Sequence, residues 1–173
     1  MKKITTTLLA VLALGGICAA EDTTTHLSGR ENKAPGVPGY QKIEDNDKQC
    51  ERAAEKAQRA LGFFMAALRA KKPGDSSFEI KKGFMDGENY EHLWITDVTY
   101  DGKNFHGTID NKPVDVKNVH LGQRVTVKPG DVSDWMFVKN GDLMGGYTTR
   151  VLYARLSKEQ KAEFDREAEF KIK

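Results

Sequence analysis

The stretch DVSDWMFVKNGDLMGGYTTR, residues 131–150, gathers acids, a Trp, two adjacent glycines and an Arg in a short span. Asp131 and Asp134 stand three apart, a spacing open to paired general acid–base work. They also follow Pro129-Gly130, where an aspartate side chain commonly hydrogen-bonds the backbone of a turn. The second role is the expected one. Trp135 falls on an alternating apolar run, which makes it a core side chain whose indole N–H needs a partner when buried. Arg150 is expected to anchor the region through a bidentate pair with Asp134 or Asp131, because a planar guanidinium matches a carboxylate fork.

Other chemistries have less behind them. His92 and His106 are expected on opposite faces of one hairpin, His26 lies in a polar lead-in and His120 in a loop. With no HExxH and no Cys pair, no metal site is expected. There is no GxSxG and no Ser in a Gly-rich elbow, so a nucleophilic hydrolase lacks its usual signature. Gly145-Gly146 lacks the spacings that cradle phosphates and is read as permitting positive φ or close packing. No cofactor is expected.

The elements that position these residues follow a leader. MKKITTTLLAVLALGGICAA has two lysines, an apolar run and small residues at Cys18 and Ala20, the pattern of a secretory signal peptide cleaved after Ala20. Ile17 is too bulky for the residue before a lipidated cysteine. The apolar run also falls short of the ~20 residues that span a bilayer, so no stable membrane insertion is expected after cleavage. The expected location is periplasmic or secreted. Lys2 and Lys3 are the leader's only charges, so the mature chain, with equal numbers of acids and bases, is neutral. A neutral chain without a long Lys/Arg cluster gives no reason to expect nucleic acid as a partner. Cys50 is then the only cysteine left, open to burial or to an intermolecular bond.

Residues 21–43 are rich in Thr, Gly, Pro and charge and read as a flexible lead-in. From Asn46 the chain changes character. Cys50, Ala54, Ala57, Leu61, Phe64 and Leu68 are spaced 4, 3, 4, 3, 4, an amphipathic helix with N-caps at Asp45 to Asp47 and a stop at Pro73-Gly74. The stripe carries Cys50, which favours a buried, inert thiol. Beyond Pro73 the period becomes two: Phe78 and Ile80 mark a short strand, and residues 92–100 a long one. After the turn at Asp101-Gly102, Phe105 and Ile109 are expected to share a core face with Trp94, Val98 and Tyr100. Val125 and Val127 mark another strand, as do residues 135–139, closed by a type I′ turn at Asn140-Gly141. YTTRVLYARL fits strand and helix equally. Ser157 to Gln160 reads as a capping box that opens a terminal helix. The whole predicts an α+β domain over residues 44–173: a long N-terminal helix packed on a curved antiparallel sheet, with a C-terminal helix.

FEIKKGF, EHLWITDVTYDGKNFHGTIDNKP and LGQRVTVKPGDVSDWMFVKNGDLMGGYTTRVL also carry a resemblance. From the helix near Asn46 to about Leu156 the chain resembles the YegJ-like bacterial family, known as domain of unknown function 2314. The most specific pieces are Glu91 to Trp94, Gly107 to Pro113, and Asp134-Trp135 followed by Gly146-Tyr147-Thr148 and Arg150. The resemblance implies a bacterial α+β domain and brings no activity with it. It gathers His92, Trp94, Asn111, Asp134, Trp135 and Arg150 into one candidate ligand pocket, if they converge in space. The favoured reading is a non-enzymatic binding protein for a protein or envelope component. The alternatives are a hydrolase using His92, Asp134 and Arg150, and an immunity-type inhibitor of a toxin.

Overall fold

The computed structural model describes residues 47–173; the expected leader (1–20) and lead-in (21–43) lie outside the described residues. Three helices and a six-stranded antiparallel sheet make an α+β fold. Helix α1 (Lys48–Ala70) starts where Asp47 Oδ1 accepts the N–H groups of Gln49 and Cys50, satisfying donors that the first turn leaves open. It stops where Lys71 turns left-handed and returns its N–H to the Ala67 carbonyl. Its buried residues are Cys50, Ala53, Ala57, Leu61, Phe64 and Leu68, one stripe at the helical period, and the Cys50 thiol is buried with them. Each large member of that stripe contributes about 1.5–3 kcal/mol by leaving water.

The strands are β1 (Asp75–Asp86), β2 (Asn89–Tyr100), β3 (Phe105–Ile109), β4 (Arg124–Val127), β5 (Val132–Lys139) and β6 (Asp142–Gly145), in the spatial order β4-β3-β2-β1-β5-β6. The β5–β6 hairpin turns through Asn140 and Gly141, both at positive φ, as a type I′ turn requires. The face under α1 carries Ile80, Leu93, Ile95, Val98, Phe105, Ile109, Val127, Val132, Trp135 and Phe137.

Trp94 is not on that face, which corrects the expected alternation. Between Thr96↔Thr108 and Thr99↔His106, β2 holds two residues opposite one of β3, and Asp97 there takes a φ of 51°. This β-bulge shifts the phase by one residue, so Leu93 and Ile95 before it share a side with Val98 and Tyr100 beyond it. Gly107 stands opposite the bulge because a Cβ there would meet the Thr96 carbonyl oxygen at 2.5 Å. Trp94 is left on the other face, in a second cluster with Met136 and Leu143. The same shift moves His106 to the side of His92. It bonds Asp101 and Thr126 while His92 bonds Ser133, so the two rings do not meet.

YTTRVLYARL is a helix, α2 (Tyr147–Arg155), and α3 (Lys158–Glu167) follows with both reciprocal bonds of the Ser157–Gln160 capping box. Residues 168–173 then cross to the second face, where Phe170 and Ile172 cover Trp94, Met136 and Leu143 and Lys171 bridges to Asp142 at the β6 edge.

Arg155 ties the end of α2 to the start of α1. Its Nη2 donates to Asp47 Oδ1 at 2.8 Å and its Nη1 to Oδ2. The Arg155 hydrogen bond, with the backbone N–H groups of Cys50 and Gln49, holds the Asp47 carboxyl well below the usual carboxylate range against the opposing effect of burial. A depressed folded-state value stabilises the fold above the unfolded value near 3.9 and loses that contribution as pH falls through the lower one. Asp47→Ala is therefore expected to cost about 1–2 kcal/mol at neutral pH. Urea titrations should show the gap from wild type closing as the pH drops below about 4.

Candidate functional site

Asp134 does not meet Arg150. Its carboxylate accepts from its neighbour's backbone, Trp135 N–H at 2.8 Å, and from the start of α2: Tyr147 N–H at 3.1 Å, Thr148 N–H at 2.7 Å and the Thr148 hydroxyl at 2.7 Å. Gly146, left-handed at the N-cap, brings no side chain to those donors, so a carboxylate from β5 caps the helix from outside. Lys81, the cross-strand neighbour of Asp134, is fully buried beside it. Its ammonium lies 5.6 Å from the Trp94 ring centroid and 3.4 Å from the Thr148 hydroxyl. Burial pushes the Asp134 carboxyl up, and the Thr148 donors and the Lys81 charge pull it back.

Arg150 binds main-chain oxygens instead of an aspartate side chain. Its Nε donates to Gly145, Nη2 to Leu143 and Nη1 to Lys173, clasping β6 and the last residues of the chain. Trp94 N–H donates to Asn111 Oδ1 at 2.6 Å, which fixes the chain leaving β3. Glu91, also buried, accepts the successive N–H groups of Val114, Asp115 and Val116, so residues 114–116 are folded around one carboxylate. His92 Nδ1 lies 2.8 Å from the Ser133 hydroxyl, whose own proton goes to the Lys81 carbonyl. Trp135 faces α1, across the sheet from the others. The six residues do not form one pocket. Trp94, Asn111, Asp134 and Trp135 are buried, and the hydrolase set of His92, Asp134 and Arg150 is not assembled.

The concave site lies elsewhere. The β1–β2 ladder runs only from Ile80↔Ile95 to Asp86↔Asn89. Below it, residues 75–79 pair with β5 alone and residues 96–100 with β3 alone. The sheet splits there, and a bulge lies on each lip, at Ser77 (φ 49°) and at Asp97 (φ 51°). A groove of about 760 Å³ fills the split, within the size range of small-ligand sites. Phe78, Val98, Met136 and Val138 give it an apolar lining, with Phe170 from the terminal segment. Among the described residues its acids are Glu79, Asp97, Asp110, Glu167 and Glu169, and its base is Lys71. Sequence reasoning missed all of these. Thr96-Asp97-Val98-Thr99 alternates as smoothly as an unbroken strand, so no residue type announces the bulge.

Among the described residues no group of three or more His, Cys, Asp or Glu side chains is placed to hold a metal, and no helix is long and apolar enough to cross a membrane. The family described as an uncharacterized protein conserved in bacteria, DUF2314, matches residues 47–172. This chain belongs to the DUF2314 family. One DUF2314 relative, the uncharacterized protein YegJ of Escherichia coli (strain K12), is 36% identical over 125 residues, covering 72% of this chain and 77% of that protein. A putative ankyrin repeat protein of Neisseria meningitidis serogroup B is 34% identical over 131 residues, 71% of this chain and 52% of the relative. The chain thus spans about half the length of that relative. No solved structure matches. The matched span includes every motif residue described above, and in this DUF2314 chain Glu91, Asn111, Asp134 and Arg150 act on backbone groups.

Proposed function

We propose that this DUF2314 chain is exported, loses its leader after Ala20, and acts outside the cytoplasm as a non-catalytic binding module for a protein or envelope component. The groove at the sheet split is the observation that carries the reading: it is large and its rim residues Asp97, Thr99, Glu167 and Glu169 are exposed, whereas Asp134 and Arg150 are engaged with backbone groups. A binding site of mixed apolar and charged lining needs no activated nucleophile.

Two measurements test it. Osmotic-shock fluid should contain the chain with Glu21 as its first residue. A photo-crosslinking residue at Thr99, exposed on the groove lip, should capture an envelope component, and the same residue at exposed Glu159 on α3 should not. A chain retained in the cytoplasm, or equal capture from both positions, would overturn the proposal.

A further inference from the structure

The groove is a gap between two β-strands as well as a cavity, and that decides what fits it best. A strand paired on one side leaves peptide N–H and C=O groups along the other, a ready template for an added strand. Here two such lips face one another, residues 75–79 of β1 and 96–100 of β2. An extended segment entering the split could hydrogen-bond to both, as peptides do when they extend a sheet. Successive side chains of a strand point to opposite sides. One set would then meet Phe78 and Val98 on the α1 side, and the other Met136, Val138 and the acids at the rim. Asp97, Glu167 and Glu169 are exposed, and Lys71 is the one base among the described lining residues. The charge favours a cationic partner and fixes its sign before contact.

We infer that the split between β1 and β2 binds an extended basic peptide segment of a partner protein, with alternating apolar and Lys or Arg side chains, by strand insertion. The inference rests on the groove being the binding site proposed above. It adds the chemistry and the conformation of the occupant.

The test titrates the purified exported chain with a short peptide of alternating lysine and valine, a glutamate-for-lysine counterpart, the lysine peptide with alternate amides N-methylated, and spermine. The lysine peptide is expected to bind at least about tenfold more tightly than the other three, because charge sign and backbone donors both contribute. Its affinity should fall as salt rises. The double variant Asp97→Asn/Glu169→Gln should weaken it about tenfold, since each exposed charge is worth up to about 1 kcal/mol. Asparagine tolerates the left-handed backbone at 97 and both positions are exposed, so the melting temperature should not move. Equal binding of the N-methylated peptide or of spermine would reduce the site to a cation patch and overturn strand insertion. Equal binding of the acidic peptide, or no binding of the lysine peptide, would overturn the basic partner. If capture from Thr99 persists when the lysine peptide fails, the occupant is wrong and the groove reading stands. If both fail, both fall.

Discussion

Asp134→Ala is expected to lower the unfolding free energy by about 3–5 kcal/mol, enough to threaten the fold of a domain this size. The side chain has no exposure to solvent and receives four hydrogen bonds, three of them from Tyr147 and Thr148 at the start of α2. Removing it uncaps α2 and takes away a negative charge that acts on the buried Lys81 ammonium. Weakening the electrostatic support of a buried charge costs more than the support itself is worth. That asymmetry makes the cause testable. Lys81→Met added to Asp134→Ala should recover part of the loss, because a linear apolar side chain fills the same channel under Trp94 without a charge to desolvate. Asp134→Asn keeps the shape and one acceptor and should cost less than Ala. Denaturant midpoints followed by circular dichroism rank the three. An unchanged midpoint for Asp134→Ala would mean that α2 is capped and Lys81 neutralised by other groups.

The groove and the motif residues are thus different things, and the sequence was readable for one and not the other. The α1 stripe from Cys50 to Leu68 and the Ser157 capping box depend on residues close in sequence, so spacing alone located them. The failures turn on partners and backbone irregularities that residue type and spacing do not mark. Helix α2 is ambiguous as a string because its cap, Asp134, lies on another strand. Arg150 was expected to pair with Asp134 or Asp131 and instead reaches main-chain oxygens of Leu143, Gly145 and Lys173, which every residue type carries and which leave no residue signature. Trp94 was assigned to the wrong face because a single inserted residue at Asp97 reverses an alternation that otherwise holds on both sides of it. The same bulge opens the groove. What hid the face of Trp94 also hid the site.

Bulges of this kind are tolerable only on a rigid support, and Trp135 supplies much of it. Trp135→Ala is expected to cost about 3–5 kcal/mol, the range for deleting a large buried aromatic and leaving a cavity. The ring is 1% exposed, its centroid lies 5.5 Å from that of Phe64 on α1 and 5.6 Å from that of Tyr147 on α2, and its indole N–H donates to the Ala57 carbonyl at 2.9 Å. One side chain therefore joins the sheet to two helices. Gly145 completes the fit: a Cβ there would sit 2.4 Å from the ring carbon Cε3, so only glycine lets β6 lie this close. Trp135→Phe keeps most of the apolar area and loses the N–H, and should cost about 1–3 kcal/mol, because Ala57 is a helix residue whose carbonyl keeps its position along α1 without the indole. The ordering Trp135→Ala worse than Trp135→Phe, read from thermal melting, separates cavity formation from hydrogen-bond loss. Equal losses would assign the stability to the indole N–H. The location of the groove adds a second expectation. Its lining includes Met136 and Val138 of β5 but not Trp135, so a Trp135→Phe protein that remains folded should bind a groove ligand with unchanged affinity. A drop in affinity without a change in melting temperature would show that the helix-facing core sets the width of the split.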